Sequence, residues 1–200
     1  MSAFLGPIHF WLYNKIQIQQ DIVEEILRLS EDLQPGLREE LDTKYGVSET
    51  KSLEKVIDEG NIHGWLQNQI AIIECKLAYS VTLLKEKNPD IITKIESIFK
   101  KKGKEKSESI NTDNAAEAYK VINDSLLDGM PCDHANTVIE ESEEKVVWRR
   151  SICVHKNYWE EVGGDINIYY SLREEFIKGM LIGTVLEYEK VDEVTNMIRR

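Results

Sequence analysis

Cysteine is scarce in this sequence, and long apolar runs are missing. Its three cysteines are an odd and sparse set for 200 residues, which argues against a disulfide framework and for reduced thiols. No window approaches the roughly 18 consecutive apolar residues of a membrane-spanning helix, and the N-terminus lacks a basic region followed by an apolar stretch and a cleavage site. We therefore expect a cytoplasmic protein that does not enter a membrane.

Basic residues are outnumbered, with 25 Lys and Arg against 36 Asp and Glu and a formal net charge of −11. Proteins that read a nucleic-acid backbone need clustered Lys and Arg to displace condensed counterions, so we expect no nucleic-acid partner. The one basic cluster, between Lys100 and Lys106, is short, interrupted by glycine and without aromatic residues. This pattern is typical of a solvated linker, with phosphate binding as the alternative.

Common enzyme motifs are absent as well. The sequence has no G-x-S-x-G, H-E-x-x-H, P-loop, dinucleotide-binding glycine pattern or C-x-x-C, each of which accompanies a known chemistry. It also has no Glu-x-x-His pair of the kind that di-iron proteins carry on their helices. The composition is otherwise ordinary, with 42% apolar and 30% charged residues, so a folded protein with a core is expected.

Helical periodicity dominates the chain. Apolar residues recur three or four positions apart, in segments bounded by glycine and proline. The predicted helices are Ile8 to Leu29, Leu37 to Tyr45, Ser48 to Asp58, Ile62 to Lys87, Asp90 to Lys102, Ala115 to Leu127 and Ile166 to Ile182. We expect a mainly α (α+β) protein built as a helical bundle.

Between Asn136 and Val154 the period changes from helical to alternating. Apolar residues alternate with others at Val146, Trp148, Ile152 and Val154. Thr137 to Ile139 is the expected antiparallel partner, which predicts a small β-hairpin in the C-terminal half. Residues 184–191 fit a helix or a third strand. The predicted organisation is a helical region over residues 1–99, a polar linker or mobile loop over 100–112 and an α+β region over 113–200 that packs on the first as one unit.

An internal repeat is the most informative feature of the sequence. Residues 8–18 read I-H-F-W-L-Y-N-K-I-Q-I and residues 62–72 read I-H-G-W-L-Q-N-Q-I-A-I, with seven of eleven positions identical. Both copies stand at the N-terminal end of a predicted long helix. At 100° per residue the shared residues cover one broad helix face. The repeat therefore predicts two equivalent helices within the bundle.

Each copy of the repeat carries one histidine and one tryptophan, His9 with Trp11 and His63 with Trp65. Two such helices related by a pseudo-twofold axis bring the two imidazole rings together, with the tryptophans beside them. A histidine at a helix N-terminus is favoured in the neutral form that ligates metals. The alternative interpretation is duplication for packing, in which each histidine caps the start of its helix.

A second candidate site is the turn that follows the Ala115 helix. It carries a thiol, a carboxylate and an imidazole within three residues, and thiolate and imidazole together suit zinc, iron or copper. The predicted metal ligands are His9, His63, Cys132 and His134. The same groups provide the elements of nucleophilic catalysis. If the protein is an enzyme, the predicted catalytic residues are Cys132, Asp133, His134 and His155.

These observations predict a binding protein whose pocket lies between the repeated helices. The predicted lining is His9, Trp11, Tyr13, His63, Trp65 and Tyr79. The expected ligand is a small, partly aromatic molecule, a metal such as zinc or iron, or haem. The alternatives are a metal-assisted or thiol-dependent enzyme and a structural or partner-interaction protein. The spacing of Gly179 and Gly183 allows close helix approach, either within the chain or in a homodimer.

Overall fold

The computed structural model describes residues 4–108, 110 and 113–200. Within these residues the chain is mainly helical, with a small antiparallel sheet in the C-terminal half, as the sequence predicts. The α-helices are α1 (Pro7–Ser30), α2 (Leu37–Tyr45), α3 (Ile62–Lys87), α4 (Ile91–Ser107), α5 (Ala115–Ser125), α6 (Lys156–Glu161) and α7 (Ile166–Met180). The strands are β1 (Asn136–Glu141), β2 (Lys145–Arg150), β3 (Glu187–Lys190) and β4 (Thr195–Arg199). None of the described helices combines the length and the apolarity needed to cross a membrane.

Packing divides the chain into two compact units, each discontinuous in sequence. The first unit contains the residues up to Ile92 together with His155–Ile166, and the second contains Thr93–Val154 and Asn167–Arg200. These bounds differ from the predicted ranges because the chain leaves the first unit near the start of α4 and returns to it for α6.

The first unit is built around α1 and α3, which lie side by side and run parallel. Residues in contact across the pair are separated by a nearly constant distance along the chain, as in His9 with His63 and Gln19 with Glu74. This separation matches the 54-residue offset of the two repeat copies, so the copies are neighbours in the structure. Apolar side chains on the facing sides of both helices are almost completely buried.

The predicted helix from Ser48 to Asp58 is wrong, because only a 3₁₀ turn at Leu53–Lys55 forms there. The polar groups of this segment are bonded to side chains of the long helices. The hydroxyl of Tyr13 donates to the carbonyl of Lys51 over 2.7 Å, and the ammonium of Lys76 donates to Oγ of Ser48 over 3.0 Å. Ser48 therefore does not cap a helix.

The predicted linker over residues 100–112 is wrong for its first part, because α4 continues to Ser107. Residues 109, 111 and 112 of that range lie outside the described residues. A Cβ at Gly103 would lie 2.0 Å from the carbonyl oxygen of Phe176. The polar end of α4 thus meets the backbone of α7 directly, a contact that leaves no apolar pattern in the sequence.

The sheet has four strands in the order β1-β2-β4-β3, and every neighbouring pair is antiparallel. The predicted hairpin is β1 with β2. The segment that fitted a helix or a strand forms strand β3, and β4 lies between β2 and β3. The turn from β3 to β4 is held by Asp192, whose carboxylate accepts hydrogen bonds from the N–H groups of Val194 and Thr195.

The alternating pattern that predicted the strand holds only as far as Arg150. Val146 and Trp148 are buried, and the Trp148 ring lies 5.0 Å from that of Tyr119 on α5. Ile152, in contrast, is 55% exposed. Its N–H donates to the carbonyl of Ala135, which turns the chain away from the sheet, so Ile152 and Val154 do not continue the buried face.

Candidate functional site

The structure brings together the two histidines of the repeat. The ring centroids of His9 and His63 lie 5.5 Å apart, with the planes inclined by 54°. Further along the same helices, the rings of Tyr13 and Trp65 lie 5.8 Å apart. We call the group His9, Tyr13, His63 and Trp65 the imidazole–aromatic surface. Trp11 follows His9 by two residues on α1, a spacing that places the two side chains on different sides of the helix.

His9 acts as the cap of α1. Its Nδ1 accepts a hydrogen bond of 2.9 Å from the N–H of Gly6, while its own backbone N–H donates to the Gly6 carbonyl over 3.0 Å. The ring is only 4% exposed. Because the Nδ1 lone pair is in use, the hydrogen of the neutral ring resides on Nε2. His9 therefore presents a donor, whereas a metal ligand must present a lone pair.

His63 has a different role, although it occupies the same position in its copy of the repeat. It is exposed, and α3 is capped by Asn61, whose Oδ1 accepts from the N–H of Gly64 over 3.2 Å. A Cβ at Gly64 would lie 2.2 Å from the Asn61 side chain, so this cap depends on glycine. The cap leaves the His63 ring beside His9 at the solvent boundary.

Charged groups lie close to the aromatic side chains at the start of α1. The ammonium of Lys15, 3% exposed, lies 3.5 Å from the centre of the Trp11 ring, a cation–π contact. Burial, followed by the nearby Glu49 charge, raises the pKa of Tyr13 above its ordinary value. Trp11 and Trp65 are half-buried. One part of each tryptophan is therefore fixed by packing and another part reaches solvent.

Tyr79 does not belong to this surface, so its place in the predicted pocket is a correction. It follows His63 by sixteen residues on α3, which corresponds to about 24 Å along a helix. Its hydroxyl donates to the carboxylate of Glu40, and its ring lies 5.9 Å from that of Tyr45. The hydrogen bond to Glu40, with burial, raises the pKa of Tyr79 to about 12.

The turn with the predicted catalytic residues lies in the second unit. Cys132 sits in a 3₁₀ turn, Pro131–Asp133, and its side chain is exposed. The Asp133 carboxylate accepts a 2.7 Å hydrogen bond from the N–H of Met130, so it serves the turn. His134 is also exposed and has a left-handed backbone with φ 49°, a conformation that histidine adopts more readily than most residues.

His155 belongs to the first unit, where it is 2% exposed. Its Nδ1 donates to Oε2 of Glu74 over 3.0 Å, and Oε1 of Glu74 accepts from Nε2 of Gln19 over 2.8 Å. Both oxygens of the carboxylate are thus satisfied by side chains. The arrangement joins α1, α3 and the start of α6 and fits a structural role.

Glu74 and Gln19 are not among the site residues that the sequence predicts. A signal exists for Glu74, which interrupts the apolar run Ile72-Ile73-Glu74-Cys75 in the middle of a helix that is buried on several sides. A carboxylate at such a position needs a partner. The identity of the partner carries no local signal, because His155 lies 81 residues away in the chain.

The predicted metal site finds no support in the geometry. Across residues 4–108, 110 and 113–200, no group of three or more His, Cys, Asp or Glu side chains is placed to hold a metal ion. A cleft of about 290 Å³ lies at the turn between α1 and α2, and another of about 440 Å³ lies between the end of α7 and β3. Neither cleft includes a residue of the predicted pocket.

Of the sequence-predicted site, the structure therefore pairs His9 with His63 and Tyr13 with Trp65 at the start of two parallel helices. Comparison with family models, with curated proteins and with solved structures finds no match to this chain.

Proposed function

We propose that the protein binds a small planar organic molecule at the imidazole–aromatic surface. The contact between His9 and His63 carries this proposal, since it places two polar rings 5.5 Å apart, and one helical turn further along α1 the Tyr13 ring meets the half-buried Trp65. Small-molecule sites typically combine aromatic surface with a few polar groups that orient the ligand. This surface supplies both.

The exposure of the His63 ring supports a binding role. Packing alone accounts for His9, which caps its helix, but it does not account for the exposed ring of His63.

The proposal favours an organic ligand over a metal or haem. A metal ion bound at Nε2 of His9 would require that nitrogen to lose its hydrogen or the Gly6 hydrogen bond to break. Stacking on Trp65 requires neither change. The chemistry of the surface thus suits a flat ring that contacts aromatic side chains.

The test is calorimetric titration with 2-naphthamide, a neutral planar probe. We expect binding by the wild-type protein and a roughly three- to tenfold weaker affinity in Trp65→Ala, because one aromatic contact contributes about 0.5–1.5 kcal/mol. Ile139→Ala is the matched control, since Ile139 is an exposed apolar residue of β1 in the second unit. Binding that is absent, or that responds equally to both substitutions, would contradict the proposal.

A further inference from the structure

We infer that the ligand of the imidazole–aromatic surface is an aromatic carboxylate, bound by hydrogen bonds from His9 and His63 while its ring contacts Trp65. This inference rests on the proposed function and adds the charge and the chemical class of the ligand. The helix cap leaves one side of the His9 ring unused.

Within the described residues, the His9 ring makes one hydrogen bond, in which Nδ1 accepts from the N–H of Gly6. Its Nε2–H group has no acceptor among these residues. The ring is nevertheless more than nine-tenths buried and faces His63. Its Nε2 is not one of the fully buried side-chain atoms that lack a partner, so the N–H group reaches solvent. It can therefore donate to an acceptor atom on a ligand.

His63 supplies a second donor beside the first. A neutral imidazole always carries one N–H, and a protonated one carries two. A carboxylate has two oxygens, one for each ring, and it accepts more strongly than a neutral oxygen because hydrogen bonds to an ionised acceptor are about twice as strong. The two neighbouring rings therefore match a carboxylate better than a single carbonyl.

The distribution of charged residues along α1 and α3 also favours an anionic ligand. The protein carries a net charge of −11, yet no Asp or Glu occurs from residue 4 to residue 20 or from residue 60 to residue 73. The one charged side chain in these two stretches is Lys15, which lies beneath Trp11. Asp58 and Glu59 precede α3, and the Asp58 carboxylate is engaged by the N–H of Gly60.

Both helix N-termini add to this local field. The first turns of α1 and α3 contain no acidic residue, and the start of a helix carries a partial positive charge. The surface thus offers an anion the partial positive charge of two helix N-termini, with the Glu49 carboxylate near Tyr13 as an opposing charge. Its preference for an anion opposes the field of the whole molecule, so an observed preference cannot arise from net charge.

The experiment compares three probes that share one ring system and differ in charge: 2-naphthoate, 2-naphthamide and 2-naphthylmethylammonium. Calorimetric titration of the full chain should give 2-naphthoate an affinity about tenfold above that of 2-naphthamide, with the cation weakest. His63→Phe keeps an aromatic ring and removes the donor, so it should bring 2-naphthoate down to the affinity of 2-naphthamide.

His134→Phe is the matched control, because His134 is an exposed histidine of the second unit. It should retain the full preference for the anion, and circular dichroism should show the same fold in both variants. Equal affinities for anion and amide, or tighter binding of the cation, would overturn the inference and leave the proposed function intact. No binding of any probe would overturn both.

Discussion

At the scale of single residues, the carboxylate of Glu74 is buried among side chains of the first unit. It is 1% exposed and is bonded on both oxygens by Gln19 and His155, which are themselves buried. A buried ion of this kind is costly unless its partners are in place. The three side chains therefore fix how α1, α3 and the start of α6 meet.

Removal of the Glu74 carboxylate should destabilise the protein strongly. We expect Glu74→Ala to lower the free energy of unfolding by about 3–5 kcal/mol, because the substitution leaves the imidazole and the amide without their acceptor. Urea denaturation followed by circular dichroism measures the change.

Glu86→Ala provides the control on the same helix, since Glu86 is exposed. Its effect should stay within about 0.5 kcal/mol. A similar small effect for Glu74→Ala would show that the buried carboxylate does not hold the helices together.

The sequence predicts that His9 and His63 meet only if the two repeat helices are related by a pseudo-twofold axis, and the parallel packing of α1 and α3 brings the two rings together. It could not predict that His9 is buried and His63 exposed. That difference depends on Asn61, which caps α3 in place of histidine, and on Gly64, which stands where the first copy has Phe10. Likewise, no local sequence pattern predicts the pairing of Glu74 with His155.

At the scale of secondary-structure elements, the crossing of α4 and α7 is made backbone to backbone. A Cβ at Gly103 would lie 2.0 Å from Phe176 O, and one at Gly179 would lie 2.2 Å from Lys100 O. Each glycine thus fits against the main chain of the opposite helix. The sequence predicts close helix approach at Gly179, either within the chain or in a homodimer. The structure shows a contact of Gly179 within the chain.

The substitution Gly179→Ala should separate these helices. Real Cβ atoms do not approach a backbone oxygen so closely, and backbone cannot move aside as a flexible side chain can. We expect a loss of stability of at least about 1–3 kcal/mol, despite the better helix propensity of alanine. A thermal unfolding curve followed by circular dichroism tests this expectation.

Ser171→Ala is a suitable comparison, because Ser171 is an exposed residue of the same helix. It should be neutral or slightly stabilising through propensity alone. Gly179→Ala with the same behaviour would mean that the two helices do not touch at this point.

This crossing explains why the helical end of α4 was mispredicted. Periodicity detects apolar side chains, and residues 100–107 have almost none. The contact there depends on the absence of a side chain at Gly103, and glycine is also common in linkers. In contrast, α1, α2 and α3 were predictable because their apolar faces and their Gly and Pro boundaries agree.

At the scale of the whole molecule, tyrosine ionisation is suppressed in both units. Five of the eight tyrosines have a pKa above the ordinary value. They are Tyr13, Tyr79, Tyr119, Tyr170 and Tyr188. Burial is the main cause for four of them, and for Tyr79 the main cause is its hydrogen bond to Glu40. Burial raises the pKa of Tyr119 to about 12.

Folding should therefore become less favourable in alkali. A tyrosine whose pKa is raised in the folded state contributes stability that is complete below about pH 10, the pKa in an unfolded chain. That stability is lost as the pH rises through the folded value, about 12 for Tyr79 and Tyr119.

Absorbance near 295 nm measures the effect. Between about pH 9 and about pH 11, phenolate should appear to a smaller extent in the native protein than in the same protein unfolded in urea. Superimposable titration curves for the two states would show that the tyrosines are not protected by the fold.

The separation of Glu74 from His155 also sets an order of events during synthesis. The ribosome adds 81 residues after Glu74 to reach His155, which takes roughly 4–16 s at about 5–20 residues per second. Throughout this interval α3 carries a carboxylate whose imidazole partner does not yet exist. During synthesis the first unit therefore lacks the imidazole partner of Glu74, as it would in a variant without His155. It is completed only after residues 93–154 have been translated.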